Sequence, residues 1–503
     1  MKKIAKFLIV LGMMGQLSSC DYLDIVPDER AQESDTWKTE GAVRGYLYSC
    51  YGYLPANRTF GNSYWLAEEL TAVTKELFTT FKYGYYSPVS LGFTSNTWST
   101  IWNGIHQCYM FQESLKQVSN EYVTDEMKKQ YLAESNFLIA YYHFLSMRSY
   151  GPTMIIRSVI DLETPISGFP ERSSIDEVVA FINEKLDEAM SEGGLPTTWS
   201  GKDYGRATRL AALALKSRVY LYAASPLYNG NTEMYADFRS PLDGRQLIAQ
   251  EKSQAKWEIS ATQTKYAIDE VEKAKFHLYH DADAGEPSDA KPGLPNKAQR
   301  RLRYTNIDNQ TGNNPEIIWA DTRNDDYYGI QRRCPPRQTL GGKFAGISMT
   351  NCPTLQTIEA FYTKNGLPIN KDKTFDYDER YEYISAPENC DGNNYEDLVK
   401  YANFTPSSDK VMRLCTDREP RFYAWTTYHN GYFEFGKYNN EEISADPAKR
   451  AIRIHLLRDD PHGRGNRTDQ EYSISGFGNK KGVVPSAEWN VIEYPFPLFR
   501  LAE

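Results

Sequence analysis

A chain of 503 residues is long enough to bury a large hydrophobic core and to form two domains. Its formal charge of −9, with no basic patch between aromatic residues, argues against a nucleic-acid-binding protein. Tyrosine is abundant, with 37 Tyr against 22 Phe, and its apolar ring with a polar hydroxyl suits partly wet binding surfaces. A tyrosine-rich core is the alternative explanation of the same composition.

The first 19 residues have the composition of an export signal. Lysines near the start are followed by an apolar stretch over residues 7–14, which is too short to span a membrane as a mature helix. The stretch ends at Leu17-Ser-Ser-Cys20, which resembles a bacterial lipobox, where cleavage precedes the cysteine and the cysteine is acylated. The sequence therefore predicts a signal peptide over residues 1–19 and lipid attachment at Cys20. An ordinary signal peptide followed by a chance cysteine is the alternative.

Apolar residues recur at helical spacing through the N-terminal half of the chain. The helices predicted in this way cover residues 40–53, 98–118, 126–150, 175–190, 206–225 and 257–275. Trp102, Ile105 and Tyr109 match the first helix of a tetratricopeptide repeat, and Ala133 and Phe137 match the second helix. The match is partial, because the connection between the two helices is longer than a standard repeat allows.

The predicted helix over residues 206–225 is apolar on nearly all sides, which is typical of a helix buried among other helices. Its alanines allow its neighbours to approach closely. We therefore expect the chain to be built around a helical core with this helix inside it.

Glu134 and Arg218 are charged residues that point into apolar helix faces. A single buried charge is costly unless it is paired. The sequence therefore predicts a structural ion pair between Glu134 and an inward-pointing arginine, with Arg218 as the first candidate.

From residue 281 to residue 491 the chain is rich in Gly, Pro, Asn and Asp, and only short apolar runs remain. This composition predicts a loop-rich region with a few strands and short helices, lodged between the helical repeats. Loops this long are usually functional when they occur in compact domains. An earlier aromatic loop lies between the first two predicted helices.

Several segments resemble, in order, those of the SusD/RagB family of Gram-negative outer-membrane lipoproteins. The start Cys20-Asp-Tyr-Leu-Asp-Ile-Val-Pro27 is similar to the first residues of mature family members. The other segments that carry the resemblance are Leu132–Leu138, Tyr204–Thr208, Asn314–Ile318, Glu359–Ile369, Asp417–Phe422 and Tyr494–Glu503. Ile139 departs from the pattern, because the family usually has arginine there.

The resemblance implies a mainly α fold, with a tetratricopeptide-like helical repeat scaffold and a large loop-rich insertion containing short strands and helices. It implies a helical domain over residues 20–280 and a C-terminal region over residues 281–503. Family members continue with further helices after the last segment, so we expect this region to be incomplete.

The resemblance also implies a function. It implies a surface-exposed lipoprotein, anchored in the outer membrane through its lipid, that captures oligosaccharides or polysaccharides. Its partner would be a SusC-like TonB-dependent transporter. Since some relatives serve peptide import, a peptide-capturing uptake lipoprotein is the alternative.

Sugar binding needs flat rings for the C–H faces, together with hydrogen-bonding groups for the hydroxyls. Two aromatic segments fit this need, and the family's ligand-binding loops fall in about the same two regions. The candidate glycan-binding residues are Trp65, Tyr83, Tyr85, Tyr86 and Trp98 in the first segment, and Tyr327, Tyr328 and Arg332 in the second. Core packing or contact with a partner is the alternative for each aromatic residue.

Nothing in the sequence predicts catalysis, a metal site or a cofactor. Adjacent carboxylates such as Asp325-Asp326 are usually solvated turns, whereas a glycosidase needs two carboxyls across a bond. The acidic stretch 281–286 lacks the remaining ligands of a calcium loop. Export permits disulfides, and Cys334–Cys352 would be the easiest local closure, but free thiols are the alternative.

Overall fold

The computed structural model describes residues 37–55, 70–72, 95–161, 163–280, 298, 301–302, 305, 314–322, 351–385, 410–427, 432–434, 451–453, 478–479 and 496–500. The protein is mainly helical, as expected. The helices are α1 (Glu40–Tyr51), α2 (Ser95–Leu115), α3 (Asp125–Tyr150), α4 (Ile175–Ala189), α5 (Arg209–Ala224), α6 (Thr232–Tyr235), α7 (Gln254–Lys273), α8 (Leu355–Ala360) and α9 (Pro420–Trp425).

The long predicted helices are confirmed, with ends that differ by about three residues or fewer. The first turns of α1, α3, α4 and α5 are closed by side chains that accept a backbone N–H, as the sequence indicates for Thr124 and Ser174. Ser174 forms a full capping box with Glu177. Local signals therefore define where these helices begin.

Helix α3 lies at the centre of the helical stack. Its residues from Ala133 to Met147 are buried around the whole circumference, and it packs between α2 and α4. Gly104 on α2 permits this close packing, because a Cβ at that position would lie 2.7 Å from the ring of Tyr142. The Tyr142 hydroxyl in turn donates to the backbone carbonyl of Cys50 at the end of α1.

The helix predicted over residues 206–225 lies within the helical core, as expected, although one side of it is partly exposed. Helix α5 begins only at Arg209, and Leu221 near its end is 47% exposed. Its Ala211 and Leu215 join the main core, whereas Leu210 and Leu213 pack with α7 in a smaller cluster. The alanines of α5 therefore reflect its close packing between the main core and α7. The helix with the most complete burial is α3.

The strands form short antiparallel pairs. They are β1 (Leu70–Ala72) with β5 (Asn351–Pro353), β2 (Thr153–Met154) with β3 (Arg172–Ser173), β4 (Ile317–Asp321) with β12 (Phe496–Arg500), β6 (Tyr383–Ser385) with β7 (Lys410–Met412), β8 (Thr426–Thr427) with β11 (Gly478–Asn479), and β9 (Tyr432–Glu434) with β10 (Ala451–Arg453).

Strand β4 connects the second half of the chain to the helical core. Trp319 is buried there, with its ring centroid 5.0 Å from that of Phe137 and 5.4 Å from that of Tyr141. Its indole N–H donates to the carbonyl of Gly205, just before α5. A second, smaller core lies around α8 and α9 and includes Ile358, Leu414 and Phe422. The division into domains at residue 280 stays a prediction.

The buried carboxylate of Glu134 is paired with Arg206, and not with Arg218 as the sequence analysis expected. Arg206 Nη2 lies 2.5 Å from Glu134 Oε1, and Arg206 Nε lies 3.2 Å from Oε2. The hydroxyl of Tyr51 donates to Oε2 over 2.6 Å. Arg206 lies in the turn before α5, whereas Arg218 lies about 13 Å beyond the first residue of that helix, at 1.5 Å per residue.

Further groups complete the environment of this ion pair. Arg206 Nη1 lies 2.8 Å from Asp203 Oδ1, and its guanidinium carbon is 4.1 Å from the ring centroid of Trp199. Burial raises the pKa of Glu134, and the hydrogen bonds from Arg206 and Tyr51 oppose the rise. The ion pair therefore joins α1, α3 and the turn before α5 in one buried network.

A buried histidine joins α3 to the segment that follows it. His143 Nδ1 lies 2.8 Å from the carbonyl of Ile139, and the N–H of Ile156 donates to His143 Nε2 over 3.3 Å. Both bonds form together only when the imidazole is neutral and carries its proton on Nδ1. Burial lowers the pKa of His143 from 6.5 to about 4.

Among the described residues, no helix combines the length and apolar character that crossing a bilayer requires. Cys50, Cys108 and Cys415 are free and buried. Cys334 lies outside the described residues, so the Cys334–Cys352 pairing stays a prediction.

We predict that Arg206→Ala lowers the free energy of unfolding by about 3–5 kcal/mol, because it leaves the carboxylate of Glu134 buried without its charge partner. The control is Arg44→Ala, which removes a half-exposed i,i+4 pair with Glu40 and should cost no more than about 0.5 kcal/mol. Urea unfolding followed by circular dichroism measures both. Similar small losses in the two variants would contradict the structural role of Arg206.

We predict that His143 makes the protein less stable as the pH falls. The pKa is lower in the folded chain than in the unfolded chain, so between pH 6.5 and 4 the unfolded chain binds more protons and stability is lost on acidification. The loss is on the order of 3 kcal/mol across this range. His143→Gln should flatten the difference in urea midpoints between pH 7 and pH 4.5, whereas His106→Asn, at an exposed position of α2, should not. An unchanged slope in His143→Gln would contradict the prediction.

Candidate functional site

The structure describes one of the predicted glycan-binding residues, Trp98. The others lie outside the described residues, as does the predicted lipid attachment site; these are Trp65, Tyr83, Tyr85, Tyr86, Tyr327, Tyr328, Arg332 and Cys20. Trp98 is half-buried in the first turn of α2, directly after the segment that holds the first group of candidates. Trp98 is therefore the residue around which the described part of the candidate site lies.

Trp98 belongs to an aromatic cluster at the corner where α2 begins and α3 ends. Its ring centroid lies 5.3 Å from that of Trp102 and 4.9 Å from that of Tyr150, and both contacts are edge-to-face. Burial raises the pKa of Tyr150, and a hydrogen bond with the backbone of Trp98 opposes the rise. Trp102 contacts His143 at 6.1 Å between ring centroids, so the cluster rests directly on the core of α3.

Arg172 brings a cation to the same cluster. Its guanidinium carbon lies 6.0 Å from the ring centroid of Trp98, and Nη1 donates to the carbonyls of Tyr150 and Pro152. The β2–β3 pair positions Arg172, since Met154 lies opposite it in the register. The carbonyl of Tyr150, at the C-terminus of α3, gains a partner outside the helix in this way.

The segment that leads to Arg172 along the chain exposes two apolar side chains. Ile166, in the 3₁₀ turn before β3, is 92% exposed, and Phe169, directly after that turn, is 48% exposed. The indole N–H of Trp102 is buried and has no acceptor among the residues that the structure describes. An aromatic surface with a nearby exposed cation can contact both the C–H faces and the hydroxyls of a ligand.

Tyr150 and Arg172 are members of this cluster that the sequence analysis did not identify. Tyr150 is visible in the sequence only as part of Tyr150-Gly-Pro152, which marks the end of a helix. Arg172 reaches the cluster through a strand pair of two residues per strand, for which the sequence has no clear signal.

The part of the chain that the structure describes contains no group of three or more His, Cys, Asp and Glu side chains able to hold a metal ion. The acidic stretch 281–286 falls outside that part.

Two family models match the chain. The model described as "Starch-binding associating with outer membrane" matches residues 21–221, and the model described as "SusD family" matches residues 315–503. No curated protein matches the chain. Among solved structures, BT4246 is 26% identical with a TM-score of 0.71, and the match covers 92% of this chain and 77% of that chain.

Two solved structures from Bacteroides fragilis NCTC 9343 share the fold at lower identity. The SusD-like protein BF3747 is 18% identical with a TM-score of 0.60, over 94% of this chain and 74% of that chain. The SusD-like carbohydrate binding protein BF0978 is 16% identical with a TM-score of 0.53, over 93% of this chain and 72% of that chain. The two family models together span most of the sequence, and the chain belongs to the SusD/RagB family.

Proposed function

We propose that this protein is a cell-surface lipoprotein that binds glycan oligosaccharides and passes them to a SusC-like TonB-dependent outer-membrane transporter. The family model that matches residues 21–221 is described as starch-binding and associated with the outer membrane. BF0978, which has the same fold, is described as a carbohydrate binding protein. Both descriptions support glycan capture at the outer-membrane surface.

The observation that carries the proposal is the aromatic cluster around Trp98. It lies at the start of α2, and the segment with Tyr83, Tyr85 and Tyr86 precedes this helix in the sequence. Trp98 is held by Trp102 and Tyr150, so its position costs little conformational entropy on binding. A preorganised ring beside a tyrosine-rich segment suits the repeated C–H faces of an oligosaccharide.

The leader supports attachment to the outer membrane. The lipobox-like Leu17-Ser-Ser-Cys20 would place three acyl chains on Cys20, which exceeds the two signals that stable anchoring needs. A lipid-held protein stays beside its transporter, and this favours transfer of a captured glycan over its loss to solution. We propose a binding protein rather than an enzyme, in line with the binding role of the family.

We predict that the soluble chain starting after Cys20 binds one class of glycan in calorimetry against plant, host and microbial polysaccharides. Tyr85→Ala, Trp98→Ala and Tyr327→Ala should each weaken binding at least about tenfold, which corresponds to a loss of about 1.4 kcal/mol for each ring removed. The control is Tyr266→Ala, which removes an exposed ring on α7.

Unfolding curves of each variant separate loss of binding from loss of folding. Equal affinity in Trp98→Ala and the wild type would contradict a role for this cluster. Binding of peptides, with no binding of any glycan by the folded chain, would contradict glycan capture and favour the peptide-uptake alternative.

A further inference from the structure

A second concave surface lies in the smaller core around α8, among residues that neither predicted binding segment includes. The cavity is open, has a volume of about 510 Å³, and falls within the range of roughly 300–1,000 Å³ that is typical of small-molecule sites. Its apolar wall includes Leu355 and Ile369, and its polar groups come from Gln356, Glu359 and Asn370. The ring of Tyr377 also lines it.

The walls of this cavity are fixed by buried polar interactions. Arg418 is 3% exposed and donates to the carbonyls of Leu414, Ile358 and Phe361, and it thereby joins the C-terminal end of α8 to the turn before α9. On the other side, the carboxylate of Asp372 accepts hydrogen bonds from the side chains of Thr363, Asn365 and Thr374. The cavity is therefore preorganised.

An aromatic and charged network holds two residues that line the cavity, Tyr377 and Glu359. The guanidinium carbon of Arg380 lies 4.0 Å from the ring centroid of Tyr377 and 4.3 Å from that of Tyr381. Arg380 Nε donates to Glu359 Oε1 over 2.7 Å, and the Tyr381 hydroxyl donates to the same oxygen. The network therefore fixes the orientation of both the Tyr377 ring and the Glu359 carboxylate.

The charge of Glu359 is stabilised by this network. Partial burial alone would raise its pKa, but the hydrogen bonds from Tyr381 and Arg380 outweigh burial and hold the pKa below the usual value of a glutamate. The carboxylate is therefore ionised at neutral pH, and it can only accept hydrogen bonds.

Three polar groups of the cavity have hydrogen-bonding capacity left over. Both bonds to Glu359 end on Oε1, and no donor among the described residues reaches Oε2. The side-chain amides of Gln356 and Asn370 are exposed and have no hydrogen-bond partner within the described ranges. Two amides that both donate and accept, together with one carboxylate oxygen that accepts, match a ligand rich in hydroxyl groups.

We propose that this cavity is a second saccharide-binding site, separate from the surface around Trp98 and resting on the proposed function for the class of its ligand. A neutral sugar ring would place its C–H face on Tyr377 and the apolar wall, and its hydroxyls on Gln356, Asn370 and Glu359 Oε2. An anionic ligand is disfavoured by the Glu359 carboxylate. A purely apolar ligand would leave both amides unpaired.

The test is calorimetry of the soluble chain with four neutral probes, namely maltohexaose, laminarihexaose, xylohexaose and mannohexaose. The wild type is expected to show two classes of site for at least one probe. Tyr377→Ala and Gln356→Ala should each weaken one class at least tenfold, whereas Trp98→Ala should weaken the other. Gln356→Ala keeps the test independent of folding, because this exposed amide has no protein partner among the described residues.

The matched control is Tyr362→Ala, which removes a 43% exposed ring of the same region that does not line the cavity. A single class of site, weakened by Trp98→Ala but not by Tyr377→Ala or Gln356→Ala, would overturn the second site and leave the proposed function intact. Binding of none of the probes or polysaccharides would contradict the proposed function, and the second site with it. Binding of peptides in the cavity, lost in Tyr377→Ala, would overturn the saccharide assignment.

Discussion

A charged carboxylate in the buried part of a helix must have its charge and its hydrogen bonds satisfied inside the protein. In this protein the requirement falls on Glu134, and the groups that satisfy it are Arg206 and Tyr51. Because Tyr51 belongs to α1 and Arg206 to the turn before α5, meeting the requirement fixes how three separate segments pack. If any of these segments were displaced, a buried charge would lose its partner, and its desolvation cost would no longer be offset.

The turn that supplies Arg206 also holds the second half of the chain. The carbonyl of Gly205 accepts the indole N–H of Trp319, and the backbone N–H of Ala207 donates to the Tyr51 hydroxyl. Gly205 has a φ of 98°, and a Cβ at this position would lie 2.9 Å from the side chain of Thr322, so both its conformation and its space favour glycine. A short Tyr204-Gly-Arg-Ala segment therefore connects the buried charge to the packing of β4.

A rigid helical stack suits capture of a flexible ligand. The Trp98 cluster rests on the core through Trp102 and His143, so its ring is already ordered before a ligand arrives. The proposed second site is also ordered before a ligand binds. Arg380 holds the ring of Tyr377, and Asp372 holds the loop that follows α8 through hydrogen bonds. Two ordered sites on one chain would raise the effective concentration of a long glycan at the protein, which suits the proposed transfer to a transporter.

The sequence predicts most of the scaffold, because apolar periodicity and capping residues such as Thr124 and Ser174 are local signals. It also indicates that Glu134 must be paired, but it does not identify Arg206 as the partner. Helical periodicity predicts which residues of a helix face inward, whereas Arg206 lies in the turn before α5. In the candidate site Trp98 is predicted from composition, whereas Arg172 depends on a two-residue strand pair. The cavity beside Tyr377 is not predicted at all, because its walls come from segments that meet only in the folded chain.

Hydrogen–deuterium exchange of the soluble chain, with and without a bound oligosaccharide, tests most directly whether a rigid scaffold presents separate binding surfaces. Amides in the middle of α3 are expected to exchange slowest in both states, and their exchange rates are expected not to change on binding. Slower exchange with the glycan should be confined to the segments around Tyr85, Trp98 and Tyr327 and to the walls of the cavity. Ligand-dependent slowing spread through α3 and α4, or rapid exchange in α3 without ligand, would contradict a preformed scaffold.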